Sequence, residues 1–111
     1  MIKENSKNKF LGGKLNVFQQ REGFRAGHDS VLLASSIRAK KGDKCLELGI
    51  GAGVVSLCLL KRVPGVSVIG IDNDRDIIKL LKENISLNGF DDHISVIKGD
   101  PVSYTHLRAH E

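Results

Sequence analysis

The segment Glu47-Leu48-Gly49-Ile50-Gly51-Ala52-Gly53 most constrains what this chain can fold into. An apolar run with Cys45, Leu46 and Leu48 leads into it, and a helix-compatible run from Val54 to Arg62 follows. The order is a strand with an acidic residue near its end, a glycine-rich turn, then a helix start. Glycine has no Cβ, so a turn of this kind lets the backbone approach a bound small molecule closely. The pattern points to a nucleotide-like ligand held at the turn.

The flanking sequence places that turn in an alternating architecture. Leu15 to Phe18 reads as a short strand after Gly12-Gly13, and Gln19 to Gly27 reads as a loop. Asp29 is placed to cap a helix from Ser30 to Ile37, with Val31, Leu32, Leu33 and Ala34 as a broad apolar face. Lys44 to Leu48 reads as a buried strand, and Pro64-Gly65 stops the helix that follows the glycine turn. Val66 to Ile71 is apolar and mostly β-branched, hence a second strand. Asp72-Asn73-Asp74 offers caps for a helix from Arg75 to Leu87, whose stripe is Ile77, Ile78, Leu81 and Ile85. Asn88-Gly89 ends it, and Ile94 to Ile97 is a third strand, followed by Gly99-Asp100. Short connections and right-handed crossovers turn this β-α-β-α-β order into half of a parallel, doubly wound α/β sheet.

Length and charge set the outer bounds. A chain of 111 residues makes at most one domain. No apolar run approaches the ~18 residues of a membrane span. The lysine-rich start from Met1 to Lys9 lacks the apolar core of a secretory signal. Cys45 and Cys58 fall inside apolar segments and read as reduced core residues of a cytoplasmic protein. The net charge of +4 is compatible with a nucleic-acid partner. Lys3, Lys7, Lys9, Lys14, Arg21 and Arg25 crowd the first segment, where Glu4 and Glu22 are the only acids. From charge alone that segment is expected to be a solvated arm.

The turn itself discriminates between ligands. A dinucleotide site shows G-x-G-x-x-G, whereas Gly49-Ile50-Gly51-Ala52-Gly53-Val54 puts Val54 where the last glycine belongs. Glu47 also stands just before the first glycine. A carboxylate there repels a pyrophosphate resting on the helix N-terminus. It suits a ligand that carries an ammonium group and no phosphate, and S-adenosylmethionine has both properties. Asp72 lies at the tip of the neighbouring strand, 72 − 49 = 23 positions after the first glycine. That spacing suits hydrogen bonds to ribose hydroxyls; the alternative is a helix cap. Asp100 ends the third strand, where it either meets an adenine edge or simply makes a turn.

These residues resemble the class I S-adenosylmethionine-dependent methyltransferases, through Glu47 to Gly53, Gly70-Ile71-Asp72 and Asn84-Ile85-Ser86-Leu87-Asn88-Gly89. The segment from Gly23-Phe24-Arg25-Ala26-Gly27 through His28-Asp29-Ser30 to Leu32-Leu33-Ala34 is similar to bacterial tRNA(Val) adenine-N6 methyltransferases of the small-domain group. The resemblance implies the N-terminal half of a Rossmann-like methyltransferase fold over residues 1–100. It implies that Glu47, Gly49, Gly51 and Gly53 line the methionine moiety, that Asp72 holds the ribose, and that Asp100 lies near the adenine. Arg25 and Asp29 would close one side of the pocket. The implied partner is tRNA, and the implied reaction is methyl transfer to an adenine N6.

The family's acceptor motif, Asn-Pro-Pro followed by an aromatic residue, does not occur in this chain. Its prolines are Pro64 and Pro101, and neither follows an Asn. Residues 101–111 continue no strand or helix pattern and look like the translation of a sequencing adapter, a non-native or disordered tail. A genuine short tail and a metal site on His106 and His110, spaced i and i+4, are the other readings of that segment. The expected consequence is a marginally stable, catalytically inactive polypeptide with an unpaired strand edge. Related acceptors, such as rRNA guanine-N2 or a release-factor glutamine, share the same cofactor half. A nicotinamide-binding module and a non-catalytic, partner-binding subunit are the competing classes.

Overall fold

The computed structural model describes residues 5–20 and 28–103, with residues 28 and 29 described by backbone alone. The chain opens with a hairpin. Strand β1 (Asn5–Phe10) pairs antiparallel with β2 (Leu15–Gln20), with Lys7 opposite Phe18 and Lys9 opposite Asn16, and a single 3-10 turn (Leu11–Gly13) joins them. The basic start is therefore a strand from Asn5 onward, not a solvated arm. The reason is pairing. Leu15 and Val17 anchor β2 on the core, and β1 then satisfies the outer backbone edge of β2. The pairing also carries β2 through Gln19 and Gln20, where a loop was expected, because these residues face Ser6 and Asn5.

Helix α1 (His28–Ser36) begins ahead of Asp29, so Asp29 sits in the first turn and not at the N-cap. Its apolar face is narrower than expected. Ala34 is buried, but Leu32 and Leu33 are 53% and 56% exposed, because α1 meets helix α2 (Val54–Arg62) along a single stripe through Val31 and Ala34. Arg62 ties the two helices together by donating to the carbonyls of Ala34 and Ile37 at 3.0 and 2.5 Å.

The main sheet has the order β3–β4–β5, all parallel, from β3 (Lys44–Leu48), β4 (Ser67–Asp72) and β5 (Ile94–Lys98). Cys45 pairs with Val68 and Val68 with Ile94, so these side chains share one face. Both crossovers, through α2 and α3 (Arg75–Leu87), step in the same direction, and right-handed connections put both helices on that face. The core lies there, with Leu57, Val68, Leu81 and Ile85 buried together. The opposite face is only partly covered: Ile71, which lies on it, is fully buried. Leu46, Leu48 and Ile97 are 42%, 40% and 41% exposed, so β3 is a half-exposed edge strand and not the buried strand its composition suggests. Composition reports what a strand can bury, not whether a partner stands beside it.

Candidate functional site

All three glycines of the turn between β3 and α2 have positive φ, 69° at Gly49, 60° at Gly51 and 92° at Gly53. Gly53 is the most constrained of them. It is the residue before the first turn of α2, and a Cβ on it would come within 2.6 Å of Leu81 Cδ1. The turn thus packs directly against α3 and cannot carry side chains there. Its backbone is tied to β4 as well: Gly49 and Ile50 N–H groups both donate to the Ile71 carbonyl, at 2.7 and 3.2 Å.

Asp72 holds the turn from the other side. Its Oδ2 accepts from the Gly51 N–H at 3.1 Å and its Oδ1 from the Asp74 N–H at 3.1 Å. The cap of α3 is Asp74, whose carboxylate accepts from Asp76 and Ile77 N–H groups. Asp72 is therefore not the helix cap. Its two oxygens are oriented by one bond each and retain lone pairs for a ligand.

Glu47 points to the same face, since it pairs with Gly70 one step before Asp72 along the strands. Its Oε1 accepts a short hydrogen bond from Ser56 Oγ on α2. Burial pushes the Glu47 pKa up, while the Ser56 hydroxyl and backbone N–H pull it partly back. A half-desolvated carboxylate of this kind is stabilised by a cation placed beside it. Glu47, Gly49, Gly51, Gly53 and Asp72 all line one cavity of about 610 Å³, which Gln20 and Ser30 close on the hairpin and α1 side. That volume lies in the range of small-molecule cofactor sites.

Asp100 is exposed and outside the cavity lining; it caps a helical turn at 101–103 by accepting from the Val102 N–H and the Ser103 hydroxyl at 2.9 and 3.3 Å. Arg25 lies outside the described residues, and so do the Asp29 side chain, His106 and His110. Among the described residues, no three His, Cys, Asp or Glu side chains gather to hold a metal. No helix of the described residues is long and apolar enough to cross a membrane. Cys58 is buried in α2 with its thiol pKa pushed up to about 11, and Cys45 is half-buried; both are free thiols.

Two residues that brace the site have no role assigned in the sequence reading. Ser56 is a lone hydroxyl within the apolar run Val54 to Leu60, and that interruption was its signal. Asn84 interrupts the apolar stripe of α3 between Leu81 and Ile85. It is fully buried, accepts from the Phe18 N–H at 2.7 Å, and donates to the carbonyls of Phe18 and Ala52 at 2.9 Å each. One side chain thereby joins the hairpin, the glycine turn and α3.

The family model "Methyltransferase small domain" matches residues 13–109. A tRNA1(Val) (adenine(37)-N6)-methyltransferase of Tolumonas auensis is 28% identical over 92 residues, covering 82% of this chain and 39% of that protein. A ribosomal protein L11 methyltransferase of Agrobacterium fabrum is 32% identical over 74 residues, covering 61% of this chain and 25% of that protein. The solved structure of an RNA methyltransferase from Salinibacter ruber, in complex with S-adenosyl-L-homocysteine, superposes with a TM-score of 0.64 at 21% identity, covering 71% of this chain and 52% of that one. The chain spans well under half the length of these two sequence relatives, and within that span its sequence and its turn geometry agree: it belongs to the methyltransferase small domain family.

Proposed function

We infer that this chain is the cofactor-binding half of an S-adenosylmethionine-dependent methyltransferase that modifies an adenine N6 in tRNA. The observation that carries the cofactor reading is the pair of carboxylates on the glycine turn. Asp72 holds the Gly51 N–H, and Glu47 is desolvated in the same cavity. Glu47 would face the ammonium group of the cofactor, and Asp72 would take the ribose hydroxyls. Gly49, Gly51 and Gly53 would let the methionine moiety lie against bare backbone. Asp100 stands two residues past Lys98, the register partner of Asp72, and would approach the adenine from that end. Arg25 and Asp29 would close the pocket. When bound, the cofactor supplies an electrophilic methyl group on a sulfonium. The residues of this chain bind and orient it and keep water from the buried side.

The tRNA part of the reading follows the Tolumonas relative and the basic hairpin. The ribosomal-protein relative supports the alternative of a protein acceptor, since acceptor choice lies in a part of the domain that the motif Asn-Pro-Pro-aromatic would mark. Calorimetry with S-adenosylhomocysteine and with NAD tests the cofactor. S-adenosylhomocysteine should bind and NAD should not, and Asp72→Ala should weaken binding by roughly 1–3 kcal/mol. Tight NAD binding, or an unchanged dissociation constant for Asp72→Ala, would overturn the assignment. Methyl incorporation by the full-length protein into tRNA and not into ribosomal protein tests the acceptor.

A further inference from the structure

The β1–β2 hairpin has two unlike faces. The inner face carries Leu15, Val17 and Gln19, all buried, opposite Phe10, Asn8 and Ser6. The outer face carries exposed Lys7 and Lys9 opposite half-buried Phe18 and Asn16, with Gln20 one step further along. No Asp or Glu occurs between residues 5 and 20. Phe10 packs on the core, but Phe18 is not among the hydrophobic residues that do.

Phe18 is also held firmly. Its N–H and C=O both bond to the Asn84 side chain, and Asn88 does the same for Asn16, at 3.1 and 2.7 Å. The ring is therefore held on a fixed strand, opposite Lys7 and diagonal to Lys9, within a stretch, residues 5–20, that contains no carboxylate. The next outer-face residue, Gln20, is ~7 Å further along β2 and lines the cavity. Aromatic rings on a basic sheet face are stacking platforms for single-stranded nucleic acid, with the cations taking phosphates.

We propose that the outer face of this hairpin binds single-stranded RNA and leads it to the cavity, with one base stacked on Phe18 and two phosphates held by Lys7 and Lys9. The proposal deepens the RNA-methyltransferase reading and rests on it for the direction of approach.

The test is fluorescence anisotropy of a short, unstructured, labelled oligoribonucleotide with the whole 111-residue chain, without cofactor. The double variant Lys7→Gln/Lys9→Gln should lower affinity and flatten the slope of log affinity against log salt by about 1.4, from ~0.7 per phosphate on a single strand. Phe18→Ala should weaken binding about tenfold or more with the salt slope unchanged, and Phe18→Tyr should restore it. The lysine variant changes only exposed positions, so it decides the matter if Phe18→Ala fails to fold. An unchanged salt slope in that variant overturns the proposal. So does displacement of the RNA by polyglutamate at equal charge, which would assign the face to an acidic protein. The cofactor reading is judged separately: S-adenosylhomocysteine binding without RNA binding sinks only the hairpin, and RNA binding without S-adenosylhomocysteine binding sinks only the cofactor.

Discussion

At the scale of single residues, Glu47 is the group whose environment says most about its role. Its carboxyl is buried against α2, and burial raises its pKa above the usual carboxylate value of 4.5. The raised value means that the folded, ligand-free chain holds its proton more tightly than the unfolded chain does. Its contribution to stability is therefore fully present below pH 4.5 and is lost as pH rises through the elevated folded value. Glu47→Gln should remove that loss, so the variant gains on the wild type as pH rises across this window, as urea unfolding at several pH values would show. Placing a ligand's ammonium group beside it runs the other way, since that favours the ionised carboxylate. Wild-type affinity for S-adenosylhomocysteine should climb with pH over the same window, and in Glu47→Gln it should be flat. Glu47 was legible from its place before the glycines. Its protonation behaviour was not, because desolvation depends on how α2 folds back over the strand end.

At the scale of elements, the joints are polar. Asn84 on α3 and Asn88 at its C-cap stand one turn apart, and each closes two hydrogen bonds with one residue of β2. Helix and hairpin thus meet through side-chain amides that imitate a strand partner. Asn84→Leu would leave the Phe18 N–H and the Phe18 and Ala52 carbonyls without these bonds. A buried polar group left unpaired costs about 1–3 kcal/mol. We expect denaturant unfolding of Asn84→Leu to show a loss of at least that size, with Asn88→Leu costing less because Asn88 is only half-buried. The close approach at Gly70 belongs to the same scale. A Cβ on Gly70 would come within 3.2 Å of Ile50 Cβ and closer to the tip of that side chain, so the turn rests on β4 through a glycine that the sequence shows only as part of Gly70-Ile71-Asp72. Strands, helices and the α3 cap region were readable from periodicity and capping residues. The first strand was not, because Asn5 to Phe10 carries one apolar residue and is held by pairing, not by burial of its own side chains.

At the scale of the whole molecule, the three-stranded sheet is covered on one face and only partly covered on the other. Leu46, Leu48 and Ile97 give that second face an apolar surface, and among the described residues no strand pairs with the outer edge of β3. Such an edge promotes association between copies. Leu46→Lys should reduce concentration-dependent association, measured by sedimentation velocity, without lowering the melting temperature. The sequence alone determined the α/β order, the position of the glycine turn and the acids at Glu47 and Asp72, from which we infer the class of ligand. Those are local matters: hydrophobic period, glycine spacing and the distance between strand tips are written in consecutive residues. Only the tertiary structure decided that Asp72 clasps the turn while Asp74 caps α3, that Ser56 bonds Glu47 and Asn84 joins the glycine turn to the hairpin, and that the basic start is one strand of a two-faced hairpin. Each of these depends on which distant groups come within a hydrogen bond of one another, and that is settled when the sheet, the hairpin and α3 pack together.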